Sequence, residues 1–261
     1  MSEHRVIARN YVADSENRIH SDDVARRYGF HGALVAGVAV YGHLTYPLVR
    51  EFGTRWLAQS VSSVRFLKPA YDGETLTISL DRVLEGADAE YLATCRNAEG
   101  VLLAELRSSM PDALPEPLDA SVFAAAPKPA ERVEMNWETV QPLQTFTPWH
   151  WQITEDLNRT FAMQVADDLP VYHEAAHPHW LLAVANRALV REYVMPAWIH
   201  VGSEIRLHRL LKVNETVEVH AVPLEKWEKK GHQFIRLYVR FTRDDELTTE
   251  IFHTAIFRVA G

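Results

Sequence analysis

Val64-Arg65-Phe66, followed after six intervening residues by Gly73-Glu74-Thr75-Leu76-Thr77-Ile78, returns at an offset of 141 as Ile205-Arg206-Leu207 and Asn214-Glu215-Thr216-Val217-Glu218-Val219. No gap separates the two matched pieces. Glycine and asparagine are the residues that tolerate positive φ in a turn. Each is followed by alternating apolar and polar side chains, the mark of a half-buried strand. Working outward, further strands are expected at 89–96 and 101–110, and again at 232–243 and 248–259. Upstream of each strand set lies one apolar helix, at 33–49 and 179–193. Each half therefore reads as one long helix followed by an antiparallel meander, an α+β arrangement used twice.

Between the halves the prolines gather. Pro111, Pro115, Pro117, Pro127, Pro129, Pro142 and Pro148 are seven of the thirteen in the chain. The stretch 120–126 among them is small and featureless. Proline removes backbone donors and stops regular pairing, so 111–148 is expected to be a linker crossing a surface. It separates a first unit, 1–110, from a second, 149–261. A single curled sheet leaves one edge unpaired, which is a liability. Two copies side by side cover it, so a duplicated chain does within one molecule what a homodimer does with two.

Composition narrows the function classes. With 47% apolar and 24% charged residues the 261-residue chain is ordinary globular protein. Its net charge of −8 speaks against nucleic acid, because phosphate binding needs a basic face. The single cysteine, Cys95, has no internal disulfide partner and sits in an apolar strand, so it is expected to be a buried small hydrophobe in a reducing compartment. Met1-Ser2-Glu3-His4-Arg5 leads into no signal-peptide core. The longest apolar run, 33–41, is about half the ~20 residues a membrane span needs. A cytoplasmic protein that binds no membrane is the expectation.

The segment ahead of the first helix carries the chemistry. It reads Asp14-Ser15-Glu16-Asn17-Arg18-Ile19-His20-Ser21-Asp22, then Tyr28-Gly29-Phe30-His31-Gly32-Ala33-Leu34-Val35-Ala36-Gly37. It resembles the MaoC-like, R-specific enoyl-CoA hydratase family, whose motif is Asp-x-Asn-Pro-x-His-x-Asp followed by a glycine-containing loop and a small-residue–Gly pair opening the central helix. Asn17, His20, Asp22 and Gly37 match at the family spacing. Arg18 stands where proline is usual, and Ser15 where the family has its catalytic aspartate. The resemblance implies a double hotdog, two central helices each wrapped by an antiparallel sheet. It also implies a hydratase or dehydratase interconverting enoyl and 3-hydroxyacyl thioesters of CoA or an acyl carrier protein.

The residue types fit that chemistry. Hydrating an enoyl thioester needs a base for the water proton, an acid for the α-carbon and donors for the enolate oxygen. A histidine near its normal pKa takes and returns protons at neutral pH, which is the role given to His20. A backbone N–H at a helix N-terminus suits an oxyanion, which is the role given to Gly37, with Val35 and Ala36 beside it on the substrate wall. Asn17 fixes the loop that carries His20. With Ser15 in place of aspartate, Asp14 or Glu16 is left to supply the carboxylate, or a water acts beside His20. A thioesterase using Asp14, Glu16 or Asp22, and a subunit that binds acyl-CoA without turnover, are the competing readings. No cofactor or metal is called for, and a homodimer stays open.

The second half reads as a worn copy. Asp167-Asp168-Leu169-Pro170-Val171-Tyr172 resembles the motif with leucine for asparagine and tyrosine for histidine, and the offset of 141 sets Pro178, which has no N–H, opposite Gly37. A rival register pairs Asn17-Arg18 with Asn158-Arg159. His173, His177 and His179 form a tempting metal cluster, read here as a polar helix start with Pro178 breaking a helix. Trp149 and Trp151 are expected to pack rather than stack on adenine, and Glu225–Gly231 to form a solvated hairpin tip. Arg65 and Arg206, equivalent in the two copies, point to structure as much as to phosphate.

Overall fold

The computed structural model describes residues 3–86, 89–119, 124–125 and 131–260. In chain order the first repeat contains β1 (His4–Ile7), a 3₁₀ turn (Arg18–His20), α1 (Asp22–Arg27), α2 (Gly37–Phe52), α3 (Thr54–Ala58), β2 (Ser60–Phe66), β3 (Thr75–Leu84), β4 (Glu90–Arg96) and β5 (Leu102–Ser109). The crossing segment holds the two-residue strands β6 (Ala124–Ala125), β7 (Val133–Glu134) and β8 (Gln144–Thr145). The second repeat contains β9 (Trp149–Gln152), α4 (Glu155–Gln164), a 3₁₀ turn (Pro170–His173), α5 (Pro178–Glu192), β10 (Tyr193–Val194), β11 (Ile199–Leu207), β12 (Thr216–Lys229), β13 (His232–Arg243) and β14 (Glu246–Arg258).

Ten strands form one antiparallel sheet in the order β1-β3-β4-β5-β2-β11-β14-β13-β12-β9. Read from its two ends inward, each half has the same connectivity. The halves meet where β2 pairs β11. There Ser63 faces Glu204, Ser62 faces Ile205 and Val64 faces Ser203. Ser63 and Glu204 are themselves 141 apart, so a pseudo-twofold axis passes between them. The turn expected from the repeat is present twice, with Gly73 at φ 79° and Asn214 at φ 70° opening β3 and β12. The two outer strands match as well: Ile78 pairs His4 in one half and Val219 pairs Trp149 in the other.

The sheet curls around α2 and α5, whose inner faces form a single core with it. The helices approach closely at Gly42, where an added Cβ would lie 2.9 Å from Val165 Cγ1 and 3.0 Å from His179 Cβ. Trp151 is buried edge-on against Trp180 (centroids 4.3 Å apart) and Phe241, so it packs the part of the core under the second repeat. Cys95 is buried, and burial pushes its thiol up to about 12. Arg65 pairs Glu105, and Arg206 pairs Glu204, so both are tied up in the sheet.

Two expectations need correction. The crossing segment does not simply run over a surface. Met135, Val140 and Phe146 are buried in the core, and Lys226 donates to the carbonyls of Trp137 and Val140. Leu118 N–H is held by Glu250 at 3.1 Å. Apolar residues spaced between the prolines supply burial that the prolines alone do not reveal; Pro127, Pro129 and most of 120–126 lie outside the described residues. Pro178 does not break a helix. It starts α5 at the first helical position, where its missing N–H costs nothing.

Candidate active site

The loop ahead of α2 is sewn to the second repeat by one side chain. Asn17 caps the 3₁₀ turn, and its buried amide reaches across to Trp198: Oδ1 accepts from Trp198 N–H at 3.1 Å and Nδ2 donates to Trp198 O at 3.0 Å. Arg18 N–H adds a bond of 2.8 Å to Pro196 O. An asparagine side chain has the same donor–acceptor pair as a peptide, so it substitutes for a strand partner here.

That turn aims His20. Its Nδ1 lies 2.7 Å from Leu34 O. A carbonyl only accepts, so Nδ1 carries the hydrogen and Nε2 keeps its lone pair. The Asn17 amide lies 3.3 Å from Nε2, long enough to yield to a closer ligand. Burial lowers the His20 pKa, against an opposing contribution from Leu34 O. The ring is therefore neutral at pH 7, with its basic nitrogen available.

Gly37 is the first residue of α2, so its N–H has no helical carbonyl four residues upstream. Val35 N–H is held by Ala70 O at 2.9 Å, fixing the approach to the helix. A Cβ on Gly37 would meet the Phe66 ring at 3.2 Å, so the glycine lets an aromatic wall stand against the helix start. Two cavities adjoin here and share part of their walls. One of about 220 Å³ is lined by Val35, Ala36, Gly37 and Phe66 among others. The second, of about 470 Å³, runs between α2 and α5. Asn17, His20, Ala36, Asn186 and Trp198 line both.

The carboxylates fall elsewhere. Asp14, expected as a carboxylate for His20, is exposed and lines neither cavity; the loop turns it outward, and that expectation is corrected. Ser15 lines the larger cavity, but its hydroxyl donates to Asn17 O at 3.2 Å. Glu16 also lines that cavity and is paired with Arg132 at 2.9 Å. Asp22 holds Ala33 N–H at 2.8 Å and Arg26 at 3.2 Å, shaping the loop.

The second repeat offers no such pair. Tyr172 lies in the 3₁₀ turn ahead of α5, as His20 does ahead of α2, and Pro178, without an N–H, starts α5 as Gly37 starts α2. Asp167, which the motif alignment sets opposite Ser15, is buried and lies 3.1 Å from His177 Nε2. His177 Nδ1 in turn accepts from His179 N–H at 3.1 Å, capping α5. Asn158, the residue of the rival register, is a buried hub bonding Tyr172 O, Ala175 O and His177 N–H. Among the described residues no group of three or more His, Cys, Asp or Glu is placed to hold a metal ion. No helix among them is long and apolar enough to cross a membrane.

No family model matches the chain, and no curated protein does. Solved structures do. A MaoC domain protein assigned as a dehydratase, from Chloroflexus aurantiacus, superposes with a TM-score of 0.68 at 11% identity, over 99% of this chain and 94% of that one. RV0216 of Mycobacterium tuberculosis, described as having a double hotdog fold, gives 0.60 at 16% identity over 97% and 93%. This fold is a double hotdog. The acyl-CoA thioesterase II TesB2 of Mycobacterium marinum also superposes, at 0.53 and 12% identity over 86% and 91%, so the double hotdog is shared by proteins named for two different reactions.

The sequence reading missed Asn186, Trp198, His200 and Phe66 on the cavity walls. Three of them lie in the second repeat: the packing of α5 against α2 brings Asn186 near the first repeat, and the pairing of β2 with β11 brings in Trp198 and His200.

Proposed function

We propose that this protein is a hydratase or dehydratase interconverting enoyl and 3-hydroxyacyl thioesters, with acyl-CoA as the substrate form. One observation carries the reading: a neutral histidine, whose Nε2 is met only by the long 3.3 Å contact from the Asn17 amide, shares a cavity with the N–H that starts α2. The thioester carbonyl sits at Gly37 N–H, flanked by Val35 and Ala36. His20 Nε2 takes a proton from water as the oxygen bonds C3, and the C2–C3 π electrons move onto the thioester oxygen. His20 then returns that proton to C2 as the carbonyl re-forms, so H and OH are added in total. A donor of the Gly37 kind contributes about 3 kcal/mol to such a transition state.

In this reading 1–110 carries the chemistry, while 149–261 closes the cleft and lines it. Hydration is favoured over hydrolysis because the nearby carboxylates are turned outward or engaged: Asp14 is exposed, Glu16 pairs Arg132 and Asp22 braces a loop. The test is a panel of enoyl-CoA and 3-hydroxyacyl-CoA thioesters followed by mass spectrometry. Gain or loss of one water with the thioester intact supports the proposal. Release of free CoA would make the protein a thioesterase, and binding without turnover would make it a non-catalytic acyl-CoA subunit.

A further inference from the structure

Asn186 projects from the middle of α5 and lines both cavities at their junction, with His20, Asn17, Ala36 and Trp198. Its Oδ1 is buried and has no hydrogen-bond partner among the described residues. A buried amide oxygen without a donor is unfavourable, and such groups in native proteins are otherwise almost always paired. The offset of 141 sets Asn186 opposite Thr45 of α2. Thr45 is fully buried, and its hydroxyl donates to Gly42 O at 2.9 Å, satisfied within its own helix. The repeat thus keeps a polar residue at this position twice. It leaves that residue unpaired only in the copy that faces His20. Val184, Ala185, Ala188 and Leu189 around it on α5 are buried and apolar, while the next residue, Arg187, is exposed, so Asn186 sits at the edge of the packed face with its Oδ1 turned to the cavities.

We propose that Asn186 is a substrate-contacting residue that binds the oxygen at C3: the attacking water in hydration and the 3-hydroxyl in dehydration. The inference rests on the reading that places the thioester at Gly37, and it makes this a shared site built from both repeats. The two ends of the amide exchange by a half-turn of the side chain, so it can accept from or donate to that oxygen. Asn186 moves no proton. It holds the oxygen so that one O–H points to His20 Nε2, a role the family aspartate's replacement by Ser15 leaves open.

The test is equilibrium binding by calorimetry, in His20→Ala protein so that turnover does not disturb it. The probes are butyryl-CoA and octanoyl-CoA, and the (R)- and (S)-3-hydroxy forms of each. The parent is expected to prefer one 3-hydroxy form over its saturated counterpart. Adding Asn186→Leu, similar in shape but apolar, is expected to weaken 3-hydroxyacyl-CoA binding at least tenfold while saturated acyl-CoA binding stays within twofold. Asn186→Ala should do the same, and melting temperatures within a few degrees of the parent show that both variants fold. An unchanged ratio in both variants, or no preference in the parent, overturns the proposal. If the parent binds none of these thioesters, the acyl-CoA reading falls and this inference with it. If the preference is lost as expected but wild-type protein hydrates nothing, Asn186 stands as the hydroxyl contact and the hydratase reading alone fails.

Discussion

Replacing Asn17 by alanine separates the two repeats at the site without touching the core. The side chain is buried and makes two cross-repeat bonds, to Trp198 N–H at 3.1 Å and Trp198 O at 3.0 Å. Truncation leaves a buried donor and a buried acceptor without partners. Each such group costs about 1–3 kcal/mol, and the adjoining cavities let water satisfy part of that, so a loss of about 3 kcal/mol is expected. For a chain of this size about 1 kcal/mol moves the melting temperature by about 2–4 °C, giving a drop of about 6–12 °C. Differential scanning calorimetry reads it directly. Asn17→Asp keeps the acceptor for Trp198 N–H but turns the donor into a second acceptor facing Trp198 O, so it should destabilise too. A drop under 2 °C in Asn17→Ala would show that Asn17 does not tie the repeats together, and the account of the site loop would fall.

Three other outcomes are expected. Burial holds His43 at about 4 and His179 and His253 at about 3, so the unfolded chain binds more protons than the folded one below pH 6.5; stability is then present above that pH and falls by about 2 kcal/mol per histidine between pH 7 and 5, and a flat melting temperature over that range would contradict it. Gly42→Ala drives a methyl against Val165 and His179 and should cost about 1–3 kcal/mol by overpacking, measured by urea unfolding; a neutral result would mean the helices have slack there. Ser15→Asp restores a carboxylate on the wall of the larger cavity. It should raise the rate of crotonyl-CoA hydration, whereas a fall would show that a neighbouring charge already does this work and is repelled.

The parts of the fold legible in sequence were those set by local rules. Gly73 and Asn214 marked equivalent turns because few residues adopt positive φ. The alternation after them gave β3 and β12, and the shared offset set the helix starts at Gly37 and Pro178 opposite each other; that the copies join through β2 and β11 was not legible. The site was half legible. His20, Asn17 and Gly37 lie within 21 residues of one another, and one loop and one helix start bring them together. Asn186 reaches the same cavity through the packing of α5 on α2, and Trp198 and His200 through a seam between strands far apart in the chain; nothing local to them marks that meeting. The partner of His177 was hidden for a different reason: Asp167 reads as part of the degenerate motif, yet it serves to fix a helix cap. The crossing segment was misjudged because its prolines outweighed Met135, Val140 and Phe146, each a single apolar residue in a polar setting.

The most direct measurement compares wild-type and His20→Ala protein on crotonyl-CoA, following loss of the enoyl absorbance and the mass of the product. The wild type is expected to add one water with the thioester intact. His20→Ala is expected to lower kcat at least about a hundredfold, the usual scale for a general base, with its melting temperature within a few degrees of the wild type. Full hydration activity in folded His20→Ala protein would contradict the assignment of the base and the mechanism built on it.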